Sequence, residues 1–409
     1  MLIKPIDARL GIRRMAFSVS LTVFVVLLFR GFRKWITREE PVVSRIITLL
    51  NPSDRMPLKM RALTLAYELL FRAAGMYKGG EFSRQTLSLI EHWVSESNVY
   101  RKGIYSRDFT IEGCEGNEFD PRAVPDLVVR VCNSTEFPEK EISDHEIESV
   151  PVVLYLHGGA FVMGSSRSRE ADFICSKFAR KGFVVVSGDY RKSPENSFPG
   201  AVEDAYRVLE WTVNGEFLPL RANPSRIILV GTGSGGGLVS VLSSLARDRL
   251  NGELSPCEIR HDFEIEHQVI IYGNLFHNQL SKNSNQHNPF LPKEVSEWCE
   301  DAYLPEGIRE DAQSDRRYSP WLAGLHDLPP TTVISAKRDP YFDENNLYAD
   351  RLKALGAFCN HYSYNDFHGF MTLGCTDNSE IAFQAIFSDL EGRAQEQEVE
   401  RERGAQKVE

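Results

Sequence analysis

The sequence predicts an α/β fold: a mostly parallel central sheet with helices on both faces, carrying a helical cap. Three observations point to it. From Pro151 onward, short continuous apolar runs alternate with longer amphipathic ones. One of those apolar runs passes straight into a glycine-rich turn, and another ends in a histidine followed by two glycines. Runs that are apolar throughout suit strands covered on both faces, which is the environment of a parallel sheet.

The runs read as strands are Val152–Leu156, Phe183–Val186, Ile227–Val230, Val269–Tyr272 and Thr332–Ser335. Ala201–Val213, Gly237–Leu250, Glu344–Leu355 and Asn378–Leu390 read as helices. Two strand-like stretches, Phe109–Ile111 and Leu127–Val131, precede them, and the acidic segment Asn133–Ser149 reads as an exposed loop. The rhythm breaks over 274–325, where Trp298, Tyr303, Tyr318 and Trp321 lie among polar residues. That stretch is expected to be a cap insertion. Helical periodicity over 35–107 (Val42, Ile46, Ile47, Leu50) marks a second part of the cap, and 391–409 is expected to be a charged, disordered tail. The main domain is thus expected over 108–390.

The chain has 409 residues and a formal net charge of -10, with the acids unevenly placed and the first forty residues basic. An acidic chain of this kind makes nucleic acid an unexpected partner. Its seven cysteines are scattered with no C-x-x-C pair, which argues against zinc and for a mostly reduced state. Met15–Phe29 is an apolar run flanked by Arg13, Arg14, Arg30, Arg33 and Lys34. It falls short of the ~20 residues that usually span a bilayer, but Gly31 and Phe32 extend it while Arg30 snorkels. A cleavable signal peptide would need a small-residue cleavage site, and none follows. Residues 1–34 are therefore expected to anchor the chain to a membrane through 15–32. A sequon at Asn133-Ser134-Thr135 would suit a lumenal domain.

The chemistry is carried by three motifs. The first runs Ile227-Ile-Leu-Val-Gly231-Thr-Gly-Ser234-Gly-Gly-Gly237. A strand, a tight glycine turn and a helix would lift Ser234 as a nucleophile. Gly231, Gly233 and Gly236 equally match the dinucleotide pattern G-x-G-x-x-G, although no acid ends the next strand. The second motif, His157-Gly158-Gly159-Ala160-Phe161, decides between them: backbone N–H groups freed there converge on a substrate oxygen, and no dinucleotide site needs them. The third pairs Asp339, just past a strand, with His368, after the next extended run. Ser, Asp, His is the order in which a serine nucleophile, its orienting acid and its base occur in one fold class. Asp343 and Asp366 are rival acids; His361 is a rival base, but in strand-like surroundings.

These motifs resemble the hormone-sensitive-lipase-like branch of the α/β-hydrolases, marked by H-G-G-G. The resemblance extends over Pro151–Leu390 and includes Gly188-Asp-Tyr-Arg191-Lys-Ser-Pro194-Glu195, Phe198-Pro199 and His368-Gly369-Phe370. Together with the N-terminal apolar run, it is similar to arylacetamide-deacetylase-type esterases. It implies the α/β-hydrolase fold and a Ser234–His368–Asp339 triad. It implies an oxyanion hole from Gly158, Gly159, Ala160 and Gly235, and hydrolysis of small, rather apolar esters through an acyl-enzyme without a cofactor. It implies a membrane-associated protein of the endoplasmic reticulum, with a cytosolic location as the alternative. Acyl transfer or cyclisation by the same triad, and ligand binding without catalysis, remain open. Two departures stand out. Ala160 replaces the third glycine, and the family's G-D-S-A-G-G becomes Thr232-Gly233-Ser234-Gly235-Gly236-Gly237, from which a more flexible turn is expected.

Overall fold

The structure, a computed structural model, describes residues 103–113, 124–134, 150–215, 218, 222–250, 262–275, 291, 293–322, 324–373 and 377–405. The expected anchor over 1–34 and nearly all of 35–107 lie outside the described residues. Among the described residues no helix is long and apolar enough to cross a membrane.

The described strands form one sheet in the order β1-β2-β4-β3-β5-β6-β7-β8. They are β1 (Tyr105–Ile111), β2 (Leu127–Asn133), β3 (Val150–Leu156), β4 (Val184–Gly188), β5 (Ala222–Thr232), β6 (Glu264–Ile271), β7 (Thr331–Ala336) and β8 (Cys359–Tyr364). From β4 to β8 all neighbours are parallel, while β2 joins β1 and β4 antiparallel at one end. The helices are α1 (Arg169–Arg180), α2 (Gly200–Asn214), α3 (Ser234–Leu250), α4 (Lys293–Tyr303), α5 (Glu306–Ser314), α6 (Phe342–Ala354), α7 (Phe370–Leu373) and α8 (Asn378–Ala405).

The period of two along each strand divides the interior into two layers. On β3, Val152, Leu154 and Leu156 pack with Val208 and Leu209 of α2, Leu242 of α3 and Leu352 of α6. Val153 and Tyr155 point the other way, toward Ile174 and Phe178 of α1 and Phe383 and Ile386 of α8. Every residue of β4 is buried, as a strand covered on both faces requires. Helix α1, whose buried Ala171, Ile174, Cys175, Phe178 and Ala179 recur at helical spacing, is capped by Ser168, whose hydroxyl accepts from the Ala171 N–H at 3.1 Å.

One expectation needs correction here. Residues 391–405 are not disordered but continue α8, because Ala, Gln, Glu and Arg are strong helix formers. At the start of this extension, Arg393 over Phe358 and the Lys181–Glu391 ion pair fasten it to the domain. The stretch 274–325 contains α4 and α5, and its Tyr303 and Tyr318 are buried in the apolar core. Asn133 is only 1% exposed, so the folded domain leaves no room for a glycan on it. The cysteines Cys132, Cys175, Cys299 and Cys359 are buried free thiols.

Near the end of the apolar part of α8, Asp389 ties the helix to the sheet. It accepts from Thr332 Oγ1 at 2.6 Å, Asn360 Nδ2 at 2.8 Å and Tyr362 Oη at 2.9 Å. Phe383, buried beside Phe173 and Phe387, supplies the apolar half of the same attachment. Phe383→Ala is expected to destabilise the domain by about 3–5 kcal/mol, the usual cost of an emptied phenylalanine site, read as a lowered urea midpoint.

Candidate active site

Four loops meet at the carboxyl ends of the parallel strands, where ligands bind in open α/β sheets. His157–Phe161 follows β3, the turn at 232–234 follows β5, Asp339 follows β7 and His368 follows β8. Leu156 pairs with Gly231 and Thr232 with Ile271, which sets the first two loops side by side.

The rival acids and bases separate cleanly. His368 Nδ1 lies 2.8 Å from Asp339 Oδ2, and Asp339 Oδ1 accepts from the Tyr341 N–H at 2.9 Å. Asp366 instead accepts from Asn378 Nδ2 at 3.0 Å and from the Phe367 N–H. His361 is spent on Ser335 Oγ at 2.7 Å, and Asp343 lies in the first turn of α6. With Nδ1 donating to Asp339, the free electron pair of His368 is on Nε2. The ring is held between Tyr272 (4.8 Å between centroids) and Tyr341 (5.7 Å). Burial alone would lower the His368 pKa. The charge of Asp339, its hydrogen bond and the more distant charge of Glu170 outweigh that and hold it above the ordinary value of 6.5.

The turn after β5 departs from the sequence expectation. Gly233, not Ser234, is its apex, with φ +51°, and Ser234 already begins α3. A Cβ on Gly231 would sit 2.2 Å from the Gly235 carbonyl oxygen, and one on Gly235 would sit 2.0 Å from the Leu156 oxygen. A sharp strand–turn–helix needs small residues two places either side of its apex. Those two glycines are two places either side of Gly233. A Cβ on Gly233 would meet nothing closer than 3.6 Å, and that nearest atom is His368 Nε2. The Ser234 hydroxyl is 1% exposed as part of its residue and pairs with the Tyr190 hydroxyl at 3.4 Å. The structure therefore brings Asp339 and His368 together but does not bring Ser234 into hydrogen-bond reach of His368. The signal in the sequence was Thr232: centring the turn on Ser234 puts a bulky residue where glycine is needed, whereas centring it one residue earlier puts Gly231 and Gly235 there.

Nor is the turn loose. Its apex N–H donates to the Ile271 carbonyl at 3.0 Å, and its apex carbonyl accepts from Gly236, Gly237 and Asn274. The Thr232 hydroxyl donates to Glu170 and lies 3.0 Å from Tyr155 Oη. Glu170, which the sequence reading did not single out, is the hub. One of its oxygens also accepts from Tyr155 Oη and from the Gly158 N–H, each at 3.0 Å. Glu170 was legible only as an acid in the first turn after the Ser168 cap.

That last bond removes Gly158 from the expected oxyanion donors, because its N–H is already committed. Among the described residues nothing accepts from the N–H of Gly159 or Ala160. Gly159, Ala160 and Phe161 all have positive φ (119°, 53° and 62°), a left-handed run that two residues with side chains rarely adopt. Gly235 is wedged against the Leu156 and His157 carbonyls, a packing position two places past the apex. His157 closes the loop from beneath: its ring stacks on Tyr190 at 4.2 Å, and Tyr190 Oη donates to its carbonyl at 2.9 Å. Burial and the charge of Lys192 lower its pKa to about 4, so it is neutral at pH 7. Phe161 stacks on Tyr303 of α4 at 4.0 Å, which places the insertion over this loop.

The fold and this arrangement of loops define an α/β-hydrolase. Residues 153–372 match the model of a family described as alpha/beta hydrolase fold, and the chain belongs to that family. It is 30% identical over 249 residues to the carboxylic ester hydrolase LipN of Mycobacterium tuberculosis, covering 58% of this chain and 62% of that protein. The chain thus spans less than two thirds of LipN. It is 26% identical to the gibberellin receptor GID1C of Arabidopsis thaliana, covering 76% of this chain and 88% of the receptor. Among solved structures, an esterase of Pyrobaculum calidifontis superposes with a TM-score of 0.59 at 26% identity, over 85% of this chain and 97% of the esterase.

The glycines of the turn differ in what they tolerate. Gly235→Ala is expected to cost about 3 kcal/mol or more, since backbone must move to admit the methyl. Gly233→Ala is expected to cost only the positive-φ penalty of about 1–2 kcal/mol. Paired urea denaturation curves of the two variants measure the difference.

Proposed function

We propose that the chain hydrolyses small, rather apolar carboxylic esters, with His368 as the general base and Asp339 holding it. The observation that carries this reading is the 2.8 Å His368–Asp339 contact, with Nε2 left facing the apex of the turn. His368 takes a proton from the attacking oxygen and returns it to the leaving alcohol. Asp339 fixes the tautomer and stabilises the imidazolium that forms. The N–H groups of Gly159 and Ala160 face the charge that develops on the carbonyl oxygen. Esterases among the relatives and among the similar folds support the same chemistry. No cofactor enters this scheme.

A second reading has one observation in its favour. Glycine at the apex removes the usual nucleophile, and a gibberellin receptor is among the relatives, so the same cleft would serve as a ligand-binding site. Turnover separates the two. With a chromogenic short-chain ester, the hydrolase reading expects measurable hydrolysis that falls about 10³-fold in His368→Ala. Hydrolysis by the wild type indistinguishable from background would overturn it.

The pH profile follows from the same pair. A general base acts only when deprotonated, so the rate rises with pH through the His368 pKa. That pKa is raised, which puts the acid limb above pH 6.5. Asp339→Asn removes both the charge and the anionic acceptor. It is expected to lower kcat by about 10²–10⁴-fold and to shift the acid limb to lower pH.

The membrane part of the proposal rests on the sequence of 15–32, with its basic flanks. We propose that this segment attaches the chain to a membrane of the endoplasmic reticulum. Deleting residues 1–34 is expected to move the protein from the membrane pellet to the supernatant of a fractionated lysate. Undiminished pelleting of the truncated chain would exclude the segment as the anchor.

A further inference from the structure

The site contains a base without the serine that such a base ordinarily serves. Position 233 has each property of the nucleophile's seat. It is the apex of the turn, it has positive φ, and glycines with no room for a Cβ lie two places before and after it. A Cβ there would point between the His157–Phe161 loop and the base, 3.8 Å from Gly158 Cα and 3.6 Å from His368 Nε2. Ser234, one residue on, turns its hydroxyl to Tyr190, whose own proton is given to the His157 carbonyl. The Tyr190 oxygen is therefore the acceptor for the Ser234 proton. A serine whose proton goes to a tyrosine of raised pKa is not being activated, because a neutral phenol is a poor base.

We propose that Gly233 occupies the nucleophile position and that the oxygen activated by His368 is that of a water molecule, so that ester hydrolysis in this chain proceeds without an acyl-enzyme. The inference about the mechanism rests on the hydrolase reading; the assignment of position 233 does not. The step balances. His368 Nε2 takes one proton from water as the water oxygen bonds to the acyl carbon. The tetrahedral adduct expels the alkoxide, which takes that proton from His368. The products are the carboxylic acid and the alcohol, and no bond to the protein forms at any stage.

The test compares the full-length wild type with Gly233→Ser, using an alkyl fluorophosphonate and a chromogenic short-chain ester. The positive-φ penalty of the new side chain is small, and circular dichroism verifies folding. Expected for the wild type are no phosphonate adduct by intact mass and no burst of chromophore before steady turnover. Expected for Gly233→Ser are one adduct, mapped by peptide mass to position 233, and a burst of about one equivalent per enzyme. The adduct should be lost in Gly233→Ser/His368→Ala. A phosphonate on Ser234, in either protein, would overturn the assignment, as would a Gly233→Ser variant that folds and stays unlabelled. A wild-type burst would overturn the water mechanism. An inert wild type with a reactive Gly233→Ser would leave the assignment standing and remove the hydrolase reading.

Discussion

The site depends on three stretches of backbone that meet where no side chain fits. Gly231 at the end of β5 and Gly235 in the first turn of α3 close on each other, and Gly235 lies against the carbonyls of Leu156 and His157. This contact is steric and admits no compromise, since a methyl group would overlap backbone atoms on both sides. It sets the angle between strand and helix. That angle fixes which residue becomes the apex, and the apex fixes what His368 faces. The loops after β3 and β5 are held in register by the same contact.

Over this frame lies a polar layer centred on Glu170. Its carboxylate gathers Tyr155, Thr232 and Gly158, groups from three different segments. Committing the Gly158 N–H in this way ties the start of the His157–Phe161 loop to α1. The same carboxylate also contributes to the raised pKa of His368. Structural support and electrostatic tuning thus come from one side chain, which has no place in a simple list of reacting groups.

The sheet, its parallel centre and the order of its helices were legible from the apolar runs, because buried parallel strands have an unmistakable composition. Asp339 and His368 stand out in the sequence because each follows a strand, and the structure sets them 2.8 Å apart. The exact apex was not legible by eye, because serine is the residue type chemistry leads one to seek. Sterics decide the turn instead, and they favour the spacing of Gly231 and Gly235. The commitment of Gly158 was hidden because it depends on Glu170, 12 residues away. Charge alone does not reveal the helix over 391–405; helix propensity and Arg393 packed on Phe358 account for it.

The glycines of the turn are not equivalent in what sequence change can do to them. Gly231 and Gly235 are locked, and any substitution there damages the fold before it alters chemistry. Gly233 has space beside it and only a modest conformational penalty for a side chain. The scaffold therefore separates its foldability from its reactivity at the resolution of a single residue. A side chain can thus be added at the residue facing His368 while the contact that shapes the turn stays as it is.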